Sequence, residues 1–170
     1  MKTPSKIYLY ELFWILPSLA IPVGMIAALL VTSFGANIHL PGLEGRVDPT
    51  KLESTPPFDK PVVVQLSPDR YEVHMVGETW SFDPSEIRVP AGAEVTFVAT
   101  SRDVVHGLFI PYTHTNVMLL PGQISRVTTR FDKPGTYLLL CHEYCGIGHH
   151  TMSGTILVEA SPNNSSGEGK

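Results

Sequence analysis

The residues best suited to chemistry in this chain are concentrated in one twelve-residue segment, Cys141–Met152. It contains both cysteines of the sequence, and His149 and Met152 follow the second cysteine by four and seven positions. Thiolate, imidazole and thioether groups form a soft ligand set, which selects copper over magnesium, calcium or manganese. His106 lies upstream in an Asp-Val-Val-His sequence and offers another imidazole. This set predicts a copper site that transfers electrons and does not make or break bonds.

Other uses of the two cysteines explain the segment less well. A disulfide between Cys141 and Cys145 would suit an oxidising compartment, but it gives no reason for the spacing of His149 and Met152. Structural zinc uses Cys, His and carboxylate ligands, so a methionine is no part of its usual set. A c-type haem requires Cys-x-x-Cys-His, which the sequence lacks. Copper is therefore the favoured metal.

These ligands can form two kinds of copper centre. A mononuclear blue-copper centre takes two histidines, one cysteine and a weak axial methionine, and it would leave one cysteine unused. A binuclear centre uses both thiolates as bridges, with one histidine for each copper ion. Met152 and the backbone carbonyl of Glu143 would then be weak outer ligands. All of the candidate ligands have a role only in the binuclear arrangement.

Short strands must position these ligands. From Pro61 onward, β-branched runs alternate with turns, and the runs cover residues 62–66, 71–76, 86–89, 94–99, 124–131, 136–140 and 155–159. Seven or eight short strands at this spacing are typical of a β-sandwich or barrel. The first cysteine directly follows the run 136–140, so we expect the metal segment to be a loop at the end of a strand.

A membrane anchor is predicted near the N-terminus. No charged residue occurs between Glu11 and Glu44, and a span at about residues 12–34 is long enough to cross a hydrocarbon core of about 30 Å. Pro17 and Pro22 interrupt the span, which membrane helices tolerate when neighbouring helices cover the freed carbonyls. A cleaved signal peptide is the alternative, but its apolar region is usually only about 7–15 residues long. We therefore expect a retained single-pass anchor.

The charge count leaves the orientation of this anchor nearly undetermined. Lys2 and Lys6 precede the span, and Arg46 and Lys51 follow it. The short leading segment favours a cytoplasmic N-terminus. We therefore expect a plasma-membrane protein whose β-domain is periplasmic or extracellular, where copper is delivered.

The chain divides into four predicted parts. Residues 1–37 form the N-terminal segment and anchor, residues 38–60 a Pro- and Gly-rich linker, residues 61–160 the β-domain, and residues 161–170 a polar, disordered tail. Residues 38–170 carry a net charge of −5. That balance makes nucleic acid an unsuitable partner.

The metal segment and the region around His106 resemble the CuA domain of subunit II of haem–copper cytochrome c oxidases. The shared pattern is Cys-x-Glu-x-Cys-Gly-x-x-His-x-x-Met at residues 141–152, with Asp-Val-x-His at residues 103–106. The single N-terminal span is similar to that of the B-type branch. The resemblance implies an all-β, cupredoxin-like Greek-key sandwich with one N-terminal transmembrane helix. The implied metal ligands are His106, Cys141, Glu143, Cys145, His149 and Met152.

The resemblance also carries roles for residues around the ligands. In many oxidases, the side chain of the glutamate that corresponds to Glu143 binds magnesium at the boundary with subunit I. B-type members often have glutamine at this position. Trp80 lies where the family has an exposed aromatic residue for electron uptake, but it can equally be a core tryptophan. Asp103 is expected either to hydrogen-bond near the site or to shape the turn before His106. His142 adjoins a ligand but lies off the motif.

The implied function is electron uptake by a terminal cytochrome c oxidase. The donor would be cytochrome c or a small copper protein, and the acceptor would be haem in subunit I. Oxygen reduction itself would take place in that other chain. The sequence leaves two alternatives: a CuA-bearing subunit of a nitric oxide reductase, and a membrane-anchored copper carrier or assembly protein.

Overall fold

The computed structural model describes residues 6–35 and 44–161 of the 170-residue chain. The chain divides into two compact units, Met1–Ile38 and His39–Lys170. The first contains the predicted anchor and the second contains the predicted β-domain.

The N-terminal unit contains one long helix, α1 (Lys6–Gly35), and no residue of this helix is buried. Thirty residues correspond to a length of about 45 Å, and the helix is apolar enough to cross a membrane. The hydroxyl of Thr32 donates to the Ala28 carbonyl at 2.9 Å, so this polar group is satisfied inside the helix. By length and composition, α1 is a candidate membrane span, and it includes the predicted span at about 12–34.

The C-terminal unit is built from two five-stranded sheets. In the first sheet the order is β1-β2-β5-β8, and β3 pairs with β2; these strands are β1 (Val62–Ser67), β2 (Arg70–Glu78), β3 (Ser81–Asp83), β5 (Glu94–Ser101) and β8 (Ser125–Arg130). In the second sheet the order is β4-β10-β9-β6-β7; these strands are β4 (Glu86–Pro90), β6 (His106–Phe109), β7 (Asn116–Leu119), β9 (Gly135–Leu140) and β10 (Ser153–Glu159). The two mostly antiparallel sheets enclose one apolar core.

The core follows from alternation along the strands. In β10 the side chains of Ile156 and Val158 are buried, while Leu157 between them is more exposed. The facing residues of both sheets form one apolar cluster, which includes Val73, Met75, Val95, Phe97, Leu108 and Leu139, each fully buried. The same cluster contains Cys141, Cys145 and Met152. The predicted ligands therefore lie at the edge of the core and not on a detached loop.

Three of the ten strands described within residues 44–161 are not among the runs recognised in the sequence. These are β3, β6 and β7, which are only three or four residues long. Such segments are too short for a periodic pattern, and pairing with a neighbouring strand is what makes them extended. The strand β6 matters most, because His106 is its first residue.

The composition of residues 38–60 predicts a linker, but the described part of that segment packs on the β-domain. Residues Pro49–Ser54 form a 3-10 helix that is capped by the Asp48 side chain. Leu52 and Phe58 are buried against Val76 and Val98 of the first sheet, which places a second apolar cluster outside the main core. The prolines and glycines of this segment indicate a linker, so the burial of Leu52 and Phe58 was not predicted from the sequence. Residues 36–43 of the predicted anchor-and-linker region, and 162–170 of the predicted tail, lie outside the described residues.

Candidate metal centre

The metal site is formed where two neighbouring strands of the second sheet meet one loop. β6 and β9 are antiparallel, and Phe109 at the end of β6 pairs with Leu140 at the end of β9, so the start of β6 lies beyond β9, beside the loop that follows it. His106 begins β6 and Cys141 directly follows β9. The loop returns to the sheet at Met152, whose carbonyl accepts a hydrogen bond from the Cys141 N–H at 3.3 Å. This closure brings both ends of the twelve-residue segment together.

The structure gathers all of the predicted soft ligands around the two sulfur atoms. The Sγ atoms of Cys141 and Cys145 are 3.8 Å apart, and both cysteines are free thiols. His106 Nδ1 lies 3.9 Å from Cys141 Sγ, and His149 Nδ1 lies 3.5 Å from Cys145 Sγ. Met152 Sδ lies 3.7 Å from Cys145 Sγ. Each of the two cysteine Sγ atoms therefore has one imidazole nitrogen beside it.

Glu143 reaches the site through its backbone. Its carbonyl oxygen accepts a hydrogen bond from the Cys141 thiol at 3.2 Å. Its carboxylate lies away from the sulfurs, 3.5 Å from His142 Nδ1 and partly exposed. The main chain and the side chain of this one residue thus face two different surroundings.

His106 is fully buried and is held by a carboxylate. Its Nε2 lies 2.8 Å from Asp103 Oδ1. Asp103 also accepts the N–H of Val104 at 2.7 Å and that of Thr79 at 2.8 Å. Burial alone would raise the pKa of Asp103, but the hydrogen bonds from His106 and the two backbone groups outweigh it and lower the pKa to about 2. Asp103 is therefore an ionised acceptor at neutral pH.

The metal-free thiol of Cys145 holds its proton firmly. Burial is the main cause, followed by the hydrogen bond and charge interaction with Cys141, and together they raise the pKa of Cys145 to about 11. A bound cation would stabilise the thiolate instead, so metal binding must release this proton.

Trp80 lies over the metal loop, which is the segment Cys141–Met152. Its indole Nε1–H donates to the carbonyl of Cys145 at 3.1 Å, and 42% of the residue is exposed. Its ring lies against Gly148, where an added Cβ would come within 2.4 Å of Cδ2. Trp80 is thus neither a core tryptophan nor a free surface side chain, because one edge is exposed and the other contacts the segment that carries the cysteines.

Gly107 is a contributor that the sequence patterns did not single out. Its N–H donates to Cys141 Sγ at 3.5 Å, and an added Cβ would lie 2.6 Å from the ring of His142. The only signal in the sequence is its position immediately after His106. His150, which follows the candidate ligand His149, is exposed.

The donor chemistry of the site fits copper. Within the described residues, the ligand atoms of His106, Cys141 and Cys145 lie within 4.8 Å of one another, and all three residues are buried. His149 and Met152 extend that group with an imidazole and a thioether. Two thiols, two imidazoles and a thioether around one small volume form a soft donor set, which selects copper over hard cations.

Comparison with known proteins agrees with this chemistry. The family model for the periplasmic domain of cytochrome c oxidase subunit II matches residues 76–161. A cytochrome c oxidase subunit 2 from Thermus thermophilus is 40% identical over 163 residues, which cover 93% of this chain and 96% of the relative. A second Thermus thermophilus subunit 2 is 43% identical over 116 residues, or 67% of this chain and 86% of the relative.

Solved structures give the same result. A heme-copper terminal oxidase dimer solved by cryo-EM contains a chain that is 34% identical, with a TM-score of 0.69, covering 88% of this chain and 99% of that one. The periplasmic domain of subunit II of cytochrome oxidase from Bradyrhizobium japonicum has a TM-score of 0.50 at 19% identity, covering 54% of this chain and 86% of that one. The latter shows similarity of fold alone.

The two-sheet sandwich with a soft-ligand loop at its edge defines a cupredoxin-like copper protein, and α1 supports its membrane anchoring. Within that class, the chain belongs to the cytochrome c oxidase subunit II family. It is a subunit of a haem–copper oxidase, an oxidoreductase complex, and it carries the residues for a copper centre. The relatives therefore favour the oxidase over a nitric oxide reductase subunit or a copper carrier.

Proposed function

We propose that this chain takes up electrons one at a time at a binuclear CuA centre and passes them to haem in subunit I of its oxidase. The observation that carries this proposal is the placement of one imidazole nitrogen beside each of two thiols that are themselves 3.8 Å apart. A mononuclear centre would leave one of these thiols without a role. The ligands in the proposal are His106, Cys141, Glu143 through its carbonyl, Cys145, His149 and Met152.

When bound, the two copper ions supply a one-electron couple that is shared over both metals. The protein would hold that couple in a setting that is shielded from water. Cys141, Cys145 and Met152 are members of the buried core cluster, which excludes water from the sulfur atoms. His106 is fixed by the Asp103 carboxylate at 2.8 Å. A site that is already ordered has little to rearrange when its charge changes, so electron transfer can be fast.

Trp80 is our candidate for the point of electron uptake. Its partly exposed ring can touch a donor protein, and its indole N–H bonds the carbonyl of a proposed copper ligand at 3.1 Å. The donor in this proposal is cytochrome c or a small copper protein. Replacing Trp80 with phenylalanine keeps a ring but removes the hydrogen bond, and we expect slower uptake from the native donor. An unchanged uptake rate would remove Trp80 from the route.

Glu143 is our candidate for a magnesium ligand at the boundary with subunit I. Its backbone carbonyl faces the sulfurs, so its carboxylate is free to bind a second, harder cation. In this proposal the carboxylate of Glu143, which lies beside His142, is one ligand, and the remaining ligands belong to subunit I.

The proposed orientation places the N-terminus in the cytoplasm and the β-domain outside the plasma membrane. Its support is the need of the copper site for copper delivery and for a donor protein. Protease added to intact cells or spheroplasts would cleave the β-domain in this orientation. Protection of the domain until the membrane is broken would contradict it.

A pair of adjacent histidines provides the sharpest test of the function. His149 contacts Cys145 Sγ, whereas its neighbour His150 is exposed. In the intact oxidase, His149→Ala should abolish oxygen consumption driven by reduced cytochrome c, while His150→Ala should leave it near the wild-type rate. Assembly of both variants with the other subunits is checked by co-purification. Normal activity of an assembled His149→Ala complex would refute the proposed role.

A further inference from the structure

One carboxylate connects the two parts of the site that the proposed function uses. Asp103 Oδ1 lies 2.8 Å from His106 Nε2, and Asp103 Oδ2 accepts the N–H of Thr79 at 2.8 Å. Thr79 and Trp80 form the turn between β2 and β3. The carboxylate therefore bridges a buried imidazole and the turn that carries the exposed indole.

The contact with His106 fixes which ring nitrogen carries the proton. Both carboxylate oxygens of Asp103 already accept backbone N–H groups, Oδ1 from Val104 and Oδ2 from Thr79, so Nε2 of His106 is the donor in its contact with Oδ1. Nδ1 is then left unprotonated, and it is the nitrogen that points at Cys141 Sγ, 3.9 Å away. The hydrogen bond thus prepares the ring for a metal beside the sulfur before any metal is bound.

The contact with Thr79 fixes the position of the turn that carries Trp80. The Asp103 loop is itself anchored, because its own N–H donates to Ser101 Oγ at 3.3 Å and its Oδ1 accepts the N–H of Val104. From the Thr79–Trp80 turn, the indole reaches over the metal loop and donates to the Cys145 carbonyl at 3.1 Å. A shift of the carboxylate would therefore move both the imidazole and the indole relative to the thiols.

We propose that Asp103 is a positioning residue that fixes the tautomer of His106 and the placement of Trp80 together through its two oxygen atoms. The inference rests on the proposed copper site, since it gives that site a prepared ligand and a coupled aromatic residue. It makes Asp103 neither a metal ligand nor a merely structural acid. Loss of one acceptor oxygen should disturb both partners.

The substitution Asp103→Asn separates this role from simple packing. Asparagine has the same shape as aspartate, but only one of its two terminal atoms accepts hydrogen bonds. If the amide oxygen of the new side chain faced His106, its NH₂ group would oppose the N–H of Thr79; in the opposite orientation, the NH₂ group would oppose Nε2–H of His106. The matched control is Asp132→Asn, which removes an exposed carboxylate that contacts Arg130 and none of the site residues.

The test is nitrogen NMR on the metal-free, full-length chain in detergent micelles. In the wild-type chain we expect the Nε2-protonated form of His106 and a slowly exchanging indole N–H of Trp80. In Asp103→Asn we expect a change in the His106 tautomer population together with at least a several-fold faster exchange of the Trp80 indole proton. Asp132→Asn should match the wild type in both signals.

Several results overturn the inference. One is an Nδ1-protonated His106 in the wild-type chain, a measurement that needs no variant to fold. Another is a folded Asp103→Asn chain in which either signal stays at its wild-type value. If both signals change but no wild-type sample binds copper, the positioning role stands and the proposed copper site fails. In the copper-loaded chain, Asp103→Asn should also raise the reduction potential, because the imidazole loses an electron-donating partner; an unchanged potential would count against the role.

Discussion

The contact between Trp80 and Gly148 allows a quantitative test of how the metal loop is held. A Cβ at position 148 would lie 2.4 Å from Cδ2 and 2.7 Å from both Cε3 and Cγ of the indole. The backbone of Gly148 has φ −89° and ψ 8°, with φ on the side that L-residues adopt. The cost of Gly148→Ala should therefore come from the ring contact and not from the backbone.

The size of this cost can be estimated from the overlap. Ordinary contact between carbon atoms occurs at about 3.5–4.0 Å, so the indole would have to move by about 1 Å. Forced overpacking costs about 1–3 kcal/mol. Because one edge of Trp80 is exposed and can yield, we expect about 1–2 kcal/mol, including part of the hydrogen bond to Cys145, which is worth about 1 kcal/mol.

A double-mutant cycle isolates that contact. In a Trp80→Ala background the ring is absent, and Gly148→Ala should be neutral or stabilise by up to about 1 kcal/mol, because alanine restricts the unfolded chain. The measurement is urea unfolding of the full, metal-free chain in detergent under reducing conditions, followed by far-UV circular dichroism. Gly24→Ala is the control, since a Cβ there meets no atom within 4 Å.

The cycle has a clear negative outcome. If Gly148→Ala destabilises the chain equally with and without the Trp80 ring, the ring does not rest on the loop as the structure has it. The same result would weaken the case for Trp80 as the point of electron uptake. The control should shift stability equally in both backgrounds, whatever its sign.

Three further predictions concern the ligands and their surroundings. Met152→Leu should retain copper but shift the reduction potential, because weak axial ligands tune it; copper and potential are measured on the purified chain. Glu143→Gln should retain copper, since the ligand is the backbone carbonyl, but the assembled oxidase should lose magnesium, which metal analysis measures. Asp103 should stabilise the fold fully above its unfolded pKa of about 3.8 and lose that contribution as the pH falls through about 2, so wild type should lose more stability in acid than Asp103→Asn.

Each of these predictions has a result that would contradict it. Complete loss of copper from Met152→Leu would make the thioether a principal ligand. Loss of copper from Glu143→Gln would mean that the side chain, and not the carbonyl, takes part. Parallel unfolding free energies of wild type and Asp103→Asn between pH 4 and pH 2 would show that the Asp103 hydrogen bonds do not lower its pKa.

Much of the site could be predicted from the sequence because its ligands are close together in the chain. The spacing of Cys141, Cys145, His149 and Met152 fits a single loop. The structure places the two cysteine sulfurs side by side, with His149 and Met152 next to the sulfur of Cys145. His106 comes from a distant strand; it was linked to the loop because a copper centre needs a second imidazole, and the resemblance to a known family supported that choice. The hydrogen bond between its ring and Asp103 confirms the first of the two expectations for that acid.

Other features depend on tertiary contacts that leave no local pattern. The strand β6 is four residues long and is extended because it pairs with β7 and β9. The burial of Leu52 and Phe58 cannot be recognised in a segment whose prolines indicate a linker. The contact of Trp80 with Gly148 joins residues 68 positions apart, and neither residue type predicts it. The strands with longer β-branched runs, such as β5 and β10, were predicted to within a few residues.

The most direct test of the account is copper analysis and electron paramagnetic resonance on one sample of the purified full chain, loaded with copper under reducing conditions and then oxidised. We predict two copper ions per chain and a seven-line hyperfine pattern, which arises when one unpaired spin is shared by two copper nuclei. One copper ion with a four-line pattern would contradict the shared-sulfur centre, as would a chain that binds no copper and joins Cys141 to Cys145 in a disulfide.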